Sequence, residues 1–279
     1  MANSFSSMTQ STSPMVIDIE QIIRDRAGDK ARLLPRFVFR WLERFIHQDF
    51  INEYLRQGRE GVDFCEGVID YLGVKLTVEG LENLPLTSLP MTFVSNHPLG
   101  AIDGVALGGI IGRRYDGHIK YLVNDLLMNL DGLAPLCIPI NKFGPQSRKL
   151  PQQLDAAFQG DNHILMFPAG LCSRLIDGQI HDIPWRKAFL KKSIETHRDI
   201  VPVHFIGQNS SRFYQVALWT KRLGIKVNLA QVLLPDEMYR SRGGHYTIRF
   251  GSPISYKCFD SSRTLNEWAL WIEDEVYKL

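Results

Sequence analysis

No run of about 18 apolar residues, the length a spanning helix needs, occurs in the 279-residue chain. The longest apolar stretch, around Val105–Ile111, is short and contains glycine. The expectation is a protein that can lie on a membrane without crossing it. Cysteine is sparse: Cys65, Cys137, Cys172 and Cys258 stand far apart and form no C-x-x-C pair. That argues against a zinc site or disulfide framework and for a reducing compartment. An excess of one charge is also missing. The 32 Lys and Arg nearly balance the 30 Asp and Glu, so no global field draws the chain onto nucleic acid. There is no G-x-x-x-x-G-K-[ST] loop, no G-x-G-x-x-G, no H-E-x-x-H and no G-x-S-x-G elbow. NTPase, Rossmann, zincin and serine-hydrolase readings therefore lose their usual anchors.

What remains is ordinary globular material, 44% hydrophobic and 10% aromatic, enough for one large domain or one domain plus a small accessory piece. Residues 1–15 are rich in Ser and Thr without a secretory apolar core, and read as a disordered leader. Residues 16–72 read as helical. Gly28-Asp29 breaks a first amphipathic segment, and Pro35 opens a second running from Arg36 to about Arg56. Along it Phe37, Val38, Trp41, Leu42, Phe45 and Ile46 recur at helical spacing, with Arg36, Arg40 and Arg44 on another face. Such a helix either lies in the headgroup layer or packs on the core with its arginines solvated.

From residue 73 the pattern becomes α/β. Strands are expected at Val74–Val78, Met91–Ser95, Tyr121–Asn124, Ala134–Ile140, His163–Phe167, Ile200–Phe205 and Tyr246–Phe250. Helices are expected at Asp103–Arg113, Ser147–Phe158, Pro184–His197 and Thr264–Tyr277. This alternation predicts an αβα sandwich with a largely parallel sheet, preceded by the N-terminal helical segment.

The most informative stretch is Val94-Ser95-Asn96-His97-Pro98-Leu99-Gly100-Ala101-Ile102-Asp103-Gly104. Pro98 and Gly100 force a turn, which puts His97 at the carboxyl end of a buried strand, where open α/β sheets hold their ligands. Asp103 falls at the start of the next helix, and the loop can fold its carboxylate back onto the imidazole. A carboxylate on one ring nitrogen fixes the tautomer and makes the other nitrogen more basic, giving a general base. A capping Asp beside a structural His would use the same residues.

Two further strand ends accompany this pair. One is Phe167-Pro168-Ala169-Gly170-Leu171-Cys172-Ser173-Arg174, and the other is Ile200-Val201-Pro202-Val203, followed by Gln208-Asn209-Ser210-Ser211. In this order they resemble the motifs of the glycerophospholipid acyltransferase superfamily, which includes the 1-acylglycerol-3-phosphate acyltransferases. His97 and Asp103 match its catalytic His…Asp motif, Phe167–Arg174 its acceptor-binding Phe-Pro-Glu-Gly motif, and Val201-Pro202-Val203 its last motif. Gly132–Lys142 is similar to the motif that normally ends Ile-x-Arg, here Ile140-Asn141-Lys142. The resemblance spans residues 74–253, so residues 73–279 read as an acyltransferase-like domain.

Departures are present. Five residues separate His97 from Asp103 where the family usually has four, Ala169 replaces the usual Glu, and the arginine is displaced to Arg174. This variant is similar to a bacterial haemolysin-like branch, some members of which acylate N-acyl amino-acid lipids to give glycine or ornithine lipids. The resemblance implies transfer of a fatty acyl group from an acyl carrier protein or coenzyme A thioester to a lyso-lipid hydroxyl, without metal or bound cofactor. It also implies a peripheral place on the cytoplasmic face of the inner membrane. His97 and Asp103 would be catalytic. Asn96, Gly100, Lys142, Phe167, Pro168, Gly170, Ser173 and Arg174 would bind substrate, with Lys142 and Arg174 gripping an anionic head group. Amides around Gly100 or Gly170 would hold the oxyanion, and Cys172 is a packed thiol rather than a nucleophile. The cations of Pro184–Lys192 form either a landing patch for an acidic carrier or anionic lipid, or a solvated face. Phosphatidic acid synthesis and catalytically silent lipid binding stand as alternatives to amino-acid lipid acylation.

Overall fold

Alternate residues of the central strands feed two different apolar clusters, because successive side chains of a strand point to opposite faces. Phe93, Leu165, Val201 and Val203 join one, while Val94, Ile164, Met166 and Ile200 join the other. The sheet is therefore buried on both sides, as a mainly parallel sheet must be. In the computed structural model, residues 16–28, 34–86, 89–124, 130–140, 150–224 and 229–279 are described. The expected leader and Lys142 lie outside them.

The strands run in chain order β1 (Lys75–Glu79), β2 (Thr92–Ser95), β3 (Ile119–Asn124), β4 (Cys137–Ile140), β5 (His163–Met166), β6 (Arg174–Ile176), β7 (Gln179–His181), β8 (Ile200–Ile206) and β9 (His245–Phe250). Seven of them form one sheet in the order β1-β9-β8-β2-β5-β3-β4. Every neighbouring pair is parallel except β8 and β9. The αβα architecture with a largely parallel sheet is as the sequence implies. Strand β2 sits between β5 and β8, with Phe93 beside Leu165 on one side and Val201 on the other. The three motif-bearing strand ends therefore open on the same edge of the sheet.

Among the described residues four helices precede β1: α1 (Ile19–Ala27), α2 (Arg36–Phe45), α3 (Gln48–Leu55) and α4 (Gly61–Leu72). The expected continuous helix over Arg36–Arg56 is thus two helices. It breaks at His47, which adopts a left-handed conformation, φ 55°. There the imidazole meets Asp236 Oδ1 at 2.8 Å and stacks on Tyr239, ring centroids 3.6 Å apart. Phe39 and Ile46 turn into the protein, whereas Phe37 and Trp41 are 65% and 59% exposed.

Helices α4 and α5 (Ile102–Arg114) cover one face of the sheet, and α6 (Leu150–Gln159), α7 (Ala188–Glu195) and α10 (Leu265–Lys278) the other. Thr264 closes a capping box with Glu267 at the start of α10.

Several boundaries differ from expectation. Pro135 and Gly132 keep Asp131–Leu136 in a 3-10 turn, so only Cys137–Ile140 is strand. Helix α7 starts at Ala188 instead of Pro184, because Trp185 is drawn inward with its indole bonded to Asp182. The hairpin of β6 with β7, helix α8 (Ser211–Arg222) and helix α9 (Leu234–Arg240) have no counterpart in the sequence reading.

Candidate active site

Strand β2 delivers Asn96 and His97 to the sheet edge. The Asn96 amide accepts from the Phe205 N–H at 2.7 Å and donates to the Phe205 carbonyl at 2.9 Å. Asn96 is buried and spent on this clamp to β8. It holds the turn and is not free for the substrate contact expected of it. Asn209, in the loop after β8, donates to the Pro98 and Leu99 carbonyls at 3.2 and 3.3 Å. Two asparagines, Asn96 at the end of β2 and Asn209 after β8, thus tie the turn to the neighbouring strand. Gly100, at φ +80°, leaves no room for a Cβ against Cys172 Sγ.

The turn brings His97 and Asp103 together. Nδ1 of His97 lies 3.0 Å from Asp103 Oδ2, close in distance though off the ideal hydrogen-bond direction. Asp103 is completely buried. Its Oδ2 also accepts the Leu99 and Gly100 N–H groups at 2.9 and 3.1 Å, and Oδ1 the Gly104 N–H at 2.8 Å. Burial by itself lifts the Asp103 pKa, but His97 and these donors outweigh it and hold the group below the ordinary carboxylate value. Burial likewise depresses His97. The Asp103 charge and contact, with the charge of Asp182, overcome it and raise the imidazole above its ordinary value. Asp103 engages Nδ1, which leaves Nε2 as the basic nitrogen for a substrate.

His97 stands on the wall of a cavity of about 650 Å³, within the range of small-molecule sites. The lining is mostly apolar, with Phe50, Tyr54, Phe64, Val68 and Leu133 among the contributors. Gly100, Phe167, Pro168 and Gly170 line the same cavity, so four of the expected substrate residues reach it directly. Phe167 stacks on His97.

Other expectations need correction. The Gly100 and Gly170 amides are already engaged, by Asp103 and the Phe167 carbonyl, so neither is an uncommitted oxyanion donor. Ser173 is buried and bonds Asp182 Oδ1 at 2.6 Å instead of facing the cavity. Arg174 turns Nη1 to the Cys172 and Ser173 carbonyls at 2.6 and 3.2 Å and lies over the Phe213 ring. Among the described lining residues the arginine is Arg186, which follows buried Trp185 and donates its backbone N–H to the Pro168 carbonyl at 3.3 Å. Of the other cations in that stretch, Lys192 is tied to Asp155 and Glu195 at 2.6 and 2.7 Å.

Ala169, at the position of the family's Glu, is fully buried in the apolar cluster with Val94, Trp185 and Phe189. Cys172 is buried, and burial pushes its thiol up to about 12, which makes it a poor nucleophile. Among the described residues no group of three or more His, Cys, Asp or Glu is arranged to hold a metal ion. Asp182, which touches the backbone of His97, had no signal in the sequence. It follows a short hairpin and carries no motif.

The sequence matches a family model described as acyltransferase over residues 21–279. It is 53% identical over 269 residues to a lyso-glycine lipid O-acyltransferase of Phocaeicola vulgatus, covering 96% of both chains. A second protein of that name, from Bacteroides thetaiotaomicron, is 51% identical over 269 residues, covering 96% of this chain and 98% of the relative. Among solved structures, the 1-acyl-sn-glycerophosphate acyltransferase of Thermotoga maritima is 18% identical with a TM-score of 0.46, covering 93% of this chain and 85% of that one.

Proposed function

The chain belongs to the acyltransferase family, and from that footing we propose that it moves a fatty acyl group from a thioester to the hydroxyl of a lyso-glycine lipid. The observation that carries this reading is the His97–Asp103 pair on the wall of a large apolar cavity. The cavity suits an acyl chain, whose burial contributes about 0.8 kcal/mol per methylene, and the dyad suits proton transfer at its edge.

His97 Nε2 takes the proton of the acceptor hydroxyl as its oxygen attacks the thioester carbonyl. The tetrahedral intermediate then collapses, the carbon–sulfur bond breaks, and His97 returns the proton to the departing thiolate. An ester and a free thiol result. Asp103 holds the imidazolium through the intermediate, and a base of this kind contributes roughly 100- to 10,000-fold. No covalent acyl-enzyme is needed.

A lyso-glycine lipid carries a carboxylate, and two features favour it over a phosphate acceptor. Relatives at 53% and 51% identity bear that name, and the family's Glu is replaced by buried Ala169. Among the described residues, Arg186, exposed on the cavity lining, is the cation best placed to meet the carboxylate. The donor is an acyl carrier protein or coenzyme A thioester. Among the described residues no helix is long and apolar enough to cross a membrane, and Phe37 and Trp41, exposed beside Arg36, Arg40 and Arg44 on α2, suit a peripheral hold on an anionic surface.

The test supplies purified protein with an acyl thioester and equal amounts of lyso-glycine lipid and lysophosphatidic acid, with products read by mass spectrometry. The expected result is preferential O-acylation of the glycine lipid, abolished in His97→Ala. Preference for lysophosphatidic acid would overturn the acceptor, release of free fatty acid the transferase reading, and undiminished turnover in His97→Ala the dyad.

A further inference from the structure

His97 is held from two sides. Asp103 meets its ring, and a second buried carboxylate, Asp182, meets its backbone. Asp182 Oδ1 accepts the His97 N–H at 3.3 Å and the Ser173 hydroxyl at 2.6 Å, and Oδ2 accepts the Trp185 indole N–H at 3.0 Å. Its own N–H donates to the Tyr277 hydroxyl at 3.0 Å. The Ser173 N–H donates to the His97 carbonyl at 2.8 Å. Both backbone polar groups of His97 are thus fixed by one small assembly that reaches β2, the hairpin of β6 with β7, and α10.

From this arrangement we infer that Asp182 is a positioning residue for acyl transfer, setting both the place and the basicity of His97. The inference rests on the dyad mechanism above. A buried side chain used only for cohesion does not need a charge, and replacing a buried ion by an apolar group is often neutral or stabilising. Here the carboxylate is 2% exposed and accepts from three different donors. Burial lifts its pKa, while Ser173, Trp185 and His97 pull it back towards the ionised form. Asp103 at the ring and Asp182 at the backbone are thus two carboxylates acting on His97, with the Arg174 guanidinium opposing them. Among the described residues the titratable groups around Asp182 itself are His97, Cys172, Tyr277, Glu273 and His181. Glu273 accepts the Trp185 backbone N–H at 3.1 Å and lies 3.6 Å from His181. Removing the Asp182 charge therefore withdraws part of what keeps the imidazole basic.

The test uses the full chain and steady-state kinetics across pH. Asp182→Asn keeps the shape but turns an amide N–H onto the Trp185 indole N–H. The double variant Asp182→Asn with Trp185→Phe relieves that conflict. The expected result for the double variant, against Trp185→Phe alone, is a fall of roughly tenfold or more in kcat and an acid limb of kcat/KM moved about one unit to lower pH. KM for the thioester should stay within about twofold. An acid limb left in place would overturn the inference, whether kcat fell or not, because a purely structural role lowers the plateau without moving His97. His97→Ala runs in parallel: activity surviving there overturns the dyad mechanism, whereas an inactive His97→Ala with an unmoved limb in the double variant overturns only the role of Asp182.

Discussion

Phe167 lies nearly face to face with His97, their ring centroids 4.2 Å apart and their planes inclined by 29°. The contact joins the ends of β2 and β5, which are paired neighbours in the sheet. It fixes the tilt of the imidazole that Asp103 fixes in rotation.

Phe167→Ala is expected to lower kcat by roughly tenfold or more, because small displacements of a reacting group are costly. Phe167→Leu, which keeps bulk without the flat face, should fall between the two. Steady-state kinetics alongside thermal melts separate the cases. An unchanged kcat in a folded Phe167→Ala protein would remove the ring from the mechanism.

Activity and stability should respond to pH in opposite directions. The folded pKa of His97 is raised above 6.5, so its contribution to stability is complete below pH 6.5 and is lost as pH climbs through the folded value. The proposed mechanism needs that same proton gone, so kcat/KM should rise over the range in which Tm falls. Asp103 is shifted the other way, and its contribution is present above its ordinary value of 3.8 and lost only in stronger acid. Glu273, raised by burial to about 7, loses stability from 4.5 upward in the same sense as His97. The comparison is therefore Tm of the wild type minus Tm of His97→Gln, in which Glu273 cancels. A difference that stays flat above pH 6.5 would contradict the raised His97.

Arg186 and Arg174 should separate by assay. Arg186→Ala is expected to raise KM for the lyso-glycine acceptor roughly tenfold with little effect on the thioester, and Arg186→Lys to restore only part of it, for want of the guanidinium fork. Arg174→Ala, which frees the Cys172 and Ser173 carbonyls, should lower Tm at least as visibly as it raises KM. An acceptor KM that responds to Arg174→Ala alone would return the anchor to that position.

The α2 aromatics give a membrane prediction. Phe37→Ser with Trp41→Ser in the full chain should weaken sedimentation with anionic vesicles by tenfold or more, since each aromatic buried is worth about 1.5–3 kcal/mol. High salt should release part of the wild-type protein by screening the arginines. Vesicle binding unchanged in the double variant would assign the contact to another surface.

The αβα class was written in the chain itself. Four-residue runs such as Thr92–Ser95 and His163–Met166 are buried throughout, and only a sheet covered on both faces accommodates them. The dyad was legible for a local reason: His97 and Asp103 lie on one turn, and Pro98 and Gly100 restrict how that turn folds. Phe167, Pro168 and Gly170 were legible through the next parallel strand. Asp182 was not, and Asn209 and Arg186 stood out only as part of a polar loop and a cationic stretch, because nothing local marks a residue whose partners are remote. Asp182 meets His97 across 85 positions and Tyr277 across 95, and Asn209 meets Pro98 across 111. The family resemblance made Arg174 the natural anion anchor, yet at the start of the hairpin it turns one guanidinium nitrogen onto backbone carbonyls. Periodicity made Arg36–Arg56 one helix, yet the reach of Asp236 to His47 stops it after Phe45. The sequence alone determined where the seven strands of the main sheet lie, apart from the start of β4, and which short turn brings His97 to Asp103. Which charges face the cavity was decided only by tertiary structure, because a buried polar group goes to whatever partner long-range packing leaves within about 3 Å.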